Sequence, residues 1–307
     1  MHVVKQYVQK IQALPTHSAG VVRQPAIIIE AFLLTGLAVF IVSRTGGDAT
    51  GFFSLFLAAA SLVHRFQRIL KTNKDQIFVE HRAPAHANLQ TASSILMVFI
   101  GLCLAYLLIG LLFQQEDLET FFGFIYDNTN SRTGTVLTRE FGMFGPILFN
   151  NCVVMFTTAI LCLIYRSYGA LLALGWNAAV WVIVLYSLTS RLFGDSVQEN
   201  IIIGAWAFIA VVPHLIIEGS AYIIAAIAAI FYSKGLTRYL LPLPQRIPTS
   251  DASILAMELP KESLFYSITV TCFKMALIAT ILTIVGALVE SIYAPWVLNL
   301  LNGWLHS

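Results

Sequence analysis

The chain has 307 residues, of which 58% are hydrophobic and only 11% charged, with a mean hydropathy of +0.78. A soluble domain carries about 25% charged residues, so this composition excludes an ordinary soluble fold and points to an all-α, polytopic membrane bundle. A net charge of +2, with the basic residues scattered rather than striped, excludes a nucleic-acid partner; the lipid bilayer is the expected surround.

The first 24 residues alternate Lys, Gln and apolar side chains at helical spacing. Val3, Val4, Tyr7, Val8 and Ile11 share one face, so residues 1–24 read as an amphipathic cytoplasmic helix lying in the membrane interface or on a partner. Residues 25–66 hold two apolar runs, Ala26 to Ser43 and Gly51 to His64, separated by the glycine-bearing turn Arg44 to Thr50, and read as a transmembrane hairpin. The connection Arg65 to Gln90 carries five basic residues, and its 67–90 part reads as a solvent-exposed cytoplasmic loop.

A third run, Thr91 to Phe113, leads into an acidic and aromatic segment, Gln114 to Gly145, expected on the opposite side of the membrane. Pro146 to Tyr165 and Gly169 to Tyr186 are the fourth and fifth runs, joined by a tight turn at Arg166, Ser167 and Tyr168. The stretch Ile201 to Ser233 is apolar but contains Pro213. It reads as a half-helix to Val212, re-entrant or interfacial, followed by a span from His214, because proline removes a backbone donor and clashes with the preceding turn. A proline-containing cytoplasmic linker (236–264) precedes the last run, Ile268 to Val289, within a C-terminal segment 265–307 that ends in an interfacial, tryptophan-bearing tail.

These runs predict about seven spans with one broken helix near Pro213. Thirteen of the eighteen Lys and Arg fall in the N-terminal arm, the 65–90 connection, Arg166 and the 234–262 linker, which puts the N-terminus in the cytoplasm of a plasma-membrane protein.

Polar side chains inside the runs are few, and each central charge costs about 2.5–3.5 kcal/mol on insertion. Asn150 and Asn151 open the fourth run and Asn177 sits midway in the fifth; such amides either fasten helices together or line a path. His214 and Glu218, four residues apart, share a helical face suited to a polar network, a proton or ion pathway, or a cation. HLIIE is not the HExxH arrangement, and only His64 accompanies it in an apolar run, so neither metal nor cofactor is expected. Glu30 and Lys274 are a candidate ion pair, the alternative being a lysine whose stem reaches the interface. The four cysteines read as small packing residues. Small-residue patches at Ala58 to Ser61 and along Gly219 to Ala229 suit close helix contact, within the chain or in a homo-oligomer.

The paired asparagine in LFNNCVVMFTTAIL, the mid-span asparagine in LLALGWNAAV and the proline–histidine with glutamate four residues on in VPHLIIEGSAYIIAAIAAIF occur in an order that resembles the stage II sporulation protein M family. The resemblance covers a transmembrane core at 91–235. It implies a non-enzymatic membrane scaffold that organises partner membrane or envelope proteins, as family members assemble peptidoglycan-degrading partners in spore-formers. Asn150, Asn151, Asn177, His214 and Glu218 would form its polar core. A transporter or channel with its site at the broken helix is the alternative; an intramembrane enzyme lacks a nucleophile–base or metal-ligand set.

Overall fold

The computed structural model describes residues 17–45, 47, 49–78, 84–123, 144–192, 197–240 and 261–305. Eight helices account for nearly all of them: α1 His17–Ser43, α2 Thr50–Phe78, α3 Pro84–Leu112, α4 Gln115–Phe121, α5 Phe144–Tyr165, α6 Ser167–Leu192, α7 Val197–Leu240 and α8 Lys261–Leu305. Among the described residues five helices are long and apolar enough to cross a membrane, with apolar stretches at Pro25–Ser43, His86–Leu112, Phe144–Tyr165, Ile202–Thr237 and Phe265–Leu300. A shorter apolar stretch, Ser167–Ile183, lies in α6. Of the expected seven spans these helices thus supply five by length and composition, with α2 and α6 as additional helices of the bundle. The amphipathic helix expected at residues 1–24 falls largely outside the described residues.

Packing divides the helices into two groups. α1, α2 and α3 pack on one another, as do α5, α7 and α8, and α6 touches α2, α3, α5 and α7. α6 suits this bridging position because Ala170, Ala173, Ala178 and Ala179 are buried small residues that admit close backbone approach. Gly175 likewise faces Leu55 of α2, where a methyl group would meet its Cδ2 at 3.1 Å. In a hydrocarbon surround the backbone polar groups of such segments must be satisfied internally, and the helix does this for each segment separately.

The 65–90 segment is not the exposed loop its charge suggested. α2 continues to Phe78 and α3 starts at Pro84. Leu62, Phe66, Leu70, Asn73 and Gln76 are buried at spacings of three and four, which turns the basic residues to the other face. Asn73 donates to Asn88 at 3.0 Å and Gln76 to Gln90 at 2.8 Å, so the polar end of α2 is fastened to α3 by amide pairs. Arg65 donates through Nε to Glu30 at 2.6 Å and closes an ion pair between α2 and α1. That contact replaces the expected Glu30–Lys274 pair; Lys274 is exposed on α8.

The break at Pro213 is also overturned. α7 runs for 44 residues straight through Pro213, about 66 Å of helix and longer than the roughly 30 Å hydrocarbon core needs. One missing N–H leaves one carbonyl unpaired, and α8, packed along α7, supports the helix across that point. The proline-containing linker shortens at both ends, since α7 reaches Leu240 and α8 begins at Lys261; residues 241–260 lie outside the described set.

The tight return between α5 and α6 is present as expected. Arg166 alone separates the two helices, with φ of +53°, and its N–H donates to Cys162 O at 2.9 Å. A methyl group on Gly169 would overlap the carbonyl oxygen of Leu161, so only glycine allows α6 to start this close to α5. Gly169→Ala is expected to lower stability by about 1–3 kcal/mol, whereas Gly36→Ala, which meets open space, should leave it unchanged or raise it. Thermal unfolding of the two purified variants in one detergent checks this; equal midpoints would remove the steric account of the turn.

Candidate functional site

The polar residues of the apolar helices meet where α5, α7 and α8 pack together. Asn151 on α5, and His214 and Glu218 on α7, are all at most 6% exposed. The Asn151 side-chain amide donates to Glu218 Oε1, crossing from α5 to α7. Asn150, next in the chain, donates its amide to Asn151 Oδ1 at 3.4 Å. A second carboxyl group, Glu290 of α8, lies within reach of the same amide, so Asn151 stands beside acids from two helices.

The antiparallel register of α7 and α8 explains why Glu290 arrives there. Gly235 lies against Ile268, and Gly286 lies against Glu218, where a methyl group would meet Glu218 Cγ at 2.7 Å. Tyr239 stacks on Phe265 with ring centroids 4.7 Å apart in the same register. Continuing one turn brings His214 level with Glu290. Gly286 therefore provides the space that Glu218 occupies, and the Glu218 side chain runs directly over the α8 backbone.

The surroundings are otherwise small and apolar. Ala221, Tyr222, Ala225 and Ala279 form a compact buried group with Met155, and the Thr283 hydroxyl lies 3.3 Å from Met155 Sδ. Tyr222, one turn beyond Glu218, lies within electrostatic reach of both carboxyl groups. Gly219 backs this face against Trp181 of α6; a methyl group there would stand 3.1 Å from the indole ring. His214 keeps to the same buried face, yet its Nδ1 has no hydrogen-bond partner among the described residues.

The structure thus joins Asn150, Asn151 and Glu218 in one hydrogen-bonded set, with His214 beside it on the same helix. Asn177 plays a different part. It is buried, but its amide donates to Ala173 O at 2.7 Å, a bond within its own helix. Glu30 and Lys274 lie outside the set: Glu30 belongs to the Arg65 ion pair. Sequence reasoning missed Glu290 because it stands one residue past the apolar run that ends at Val289. The signal available was a lone acid within the extended apolar stretch Phe265–Leu300. Among the described residues no group of three or more His, Cys, Asp or Glu side chains is arranged to hold a metal ion.

The bond from Asn151 to the buried Glu218 carboxyl group holds α5 and α7 in one geometry, because each polar group left unpaired in an apolar bundle would carry its full desolvation cost. Asn151→Ala is expected to lower stability by about 1–2 kcal/mol, and Asn177→Ala distinctly less, since its bond lies within one helix. Comparison of the two variants by thermal unfolding in detergent measures the difference; equal losses would argue against a cross-helix role for Asn151.

A family model described as stage II sporulation protein M matches residues 89–295, which extends beyond the resemblance seen in the sequence motifs and takes in Gly286 and Glu290. No curated protein and no solved structure is found to match the chain. With well over half of its length matched, and with the paired asparagine, the His214–Glu218 turn and Glu290 all inside the matched segment, this chain belongs to the stage II sporulation protein M family.

Proposed function

We propose that the protein is an integral membrane scaffold that organises partner membrane or envelope proteins. The observation that carries this reading is the closure of the polar cluster on itself: Asn151 commits its amide to Glu218, Glu290 lies beside that amide, and Gly286 seats Glu218 against α8. Polar groups used in this way lock helices together. A locked bundle supplies a rigid platform, and recognition then falls to its surfaces.

Two parts of the chain suit that task. α5 exposes Phe149, Val153, Phe156, Ile160 and Ile164 at spacings of three and four, a continuous apolar stripe that meets lipid or another helix. The segment between α3 and α5 is held close to the bundle at its start. Phe122 packs on Tyr106, and Gly51 of α2 lies so near Phe121 O that a methyl group would approach to 2.5 Å. To residues 124–143, which follow this anchored base, we assign the contact with partners on the side of the membrane opposite the basic helix ends.

Replacing 124–143 by a short Gly/Ser linker should leave the thermal midpoint near that of the wild type while removing partners that co-purify from cross-linked membranes. An unchanged partner set with the linker in place would count against the scaffold.

A transport reading rests on a separate observation, two carboxyl groups and a histidine with an unpartnered Nδ1 at one level of the α7–α8 pair. Proton or sodium flux into liposomes that is abolished by Glu218→Gln in a folded protein would move the function to transport. Equal flux in wild type, Glu218→Gln and empty liposomes leaves the scaffold.

A further inference from the structure

Near the α5–α6 turn Arg166 and Lys234 come together, with Lys74 of α2 within electrostatic reach, and neither the polar cluster nor the scaffold reading uses these cations. Arg166 in that turn donates through Nη2 to Thr237 Oγ1 at 2.7 Å and through Nε to Ser233 Oγ at 3.3 Å. Lys234 lies between those two residues along α7, and the guanidinium is within electrostatic reach of its ammonium group. Lys74, from the basic end of α2, lies with Arg166 within electrostatic reach of Lys234. Among the described residues none of the three is in an ion pair; the pair formed by α2 is Arg65–Glu30, nine residues away from Lys74 along the helix.

Their level in the membrane follows from the apolar stretches. Arg166 separates the ends of Phe144–Tyr165 and Ser167–Ile183, and Lys234 stands three residues before the end of Ile202–Thr237. Both therefore sit where hydrocarbon gives way to headgroups. Exposed Tyr165, Tyr239 and Tyr266 gather at these same helix ends, as aromatic side chains do at a membrane interface. The Arg166 backbone is held in the left-handed region, which costs a non-glycine residue about 1–2 kcal/mol, and its two hydroxyl contacts keep the side chain aimed along α7. Only two of its N–H groups are engaged by those hydroxyls. The rest of the planar fork, with two flexible ammonium groups beside it, matches the oxygens of a phosphate.

We propose that Lys74, Arg166 and Lys234 form a binding site for a phosphate-bearing anion, either the headgroup of an anionic lipid or free phosphate. Like charges brought together at an apolar boundary repel until an anion neutralises them, and a phosphate group at headgroup depth supplies that charge.

The full-length protein reconstituted in phosphatidylcholine nanodiscs, with and without phosphatidylglycerol, tests the site. Phosphatidylglycerol should raise the thermal midpoint, and its apparent affinity in detergent titrations should fall about fivefold in Lys74→Gln and about fivefold in Lys234→Gln. Both lysines are exposed, so the variants keep the fold, which circular dichroism verifies. If millimolar inorganic phosphate in phosphatidylcholine discs reproduces the effect with the same lysine dependence, the ligand is free phosphate; an effect of phosphatidylglycerol alone assigns it to the headgroup. No response to either anion, or a response that the double lysine variant retains in full, overturns the site.

Discussion

The hydrogen bond that Asn151 makes to Glu218, with Glu290 beside the same amide, is the constraint on which the C-terminal half of the bundle is arranged. In an apolar bundle helix association gains little from the hydrophobic effect, because lipid tails are as apolar as leucine. Close packing of small residues and a few polar contacts decide which helices meet. Glu218 brings α7 to α5, and Gly286 removes the side chain that would keep α8 away from Glu218. The alanines at 221, 225 and 279 then let the three backbones approach closely around Met155 and Tyr222.

The N-terminal helices are fixed by different chemistry. Arg65 and Glu30 join α2 to α1, and the amide pairs Asn73–Asn88 and Gln76–Gln90 join α2 to α3. An ion pair at partly exposed positions carries a smaller desolvation penalty than one in the middle of the bundle, because the charged groups keep part of their hydration. α6 links the two halves. Its tight return from α5 depends on Gly169, its small residues receive α2, and Trp181 reaches both Phe99 of α3 and Gly219 of α7.

Much of this was legible from the residues alone, but unevenly. The helical membrane architecture, the turn between Arg44 and Thr50 and the tight return opening at Arg166 follow from composition and spacing, and the intramembrane polar residues Asn150, Asn151, Asn177, His214 and Glu218 can be picked out one by one. The 65–90 segment misled because five basic residues read as a loop. Charge density along a sequence cannot show that Arg65, Arg68, Lys71 and Lys74 belong to a helix whose other face carries Leu62, Phe66, Leu70 and Asn73 into the core. Pro213 misled for a related reason. A proline breaks an isolated helix, yet within a bundle the neighbouring helix α8 holds the chain on course and one lost hydrogen bond is tolerated.

What the sequence determined by itself is the class of environment and the inventory of polar groups, since burial of apolar side chains and the high cost of a charge in hydrocarbon act on each residue singly. Which of those groups meet was decided by tertiary structure. Glu30 found Arg65 and not Lys274, and Asn177 turned back on its own helix. Glu290, 72 residues beyond Glu218, came to lie within electrostatic reach of it. Partner choice across helices depends on register and on where glycine and alanine allow backbones to approach, and those are properties of helix pairs that a single strand of residues does not display.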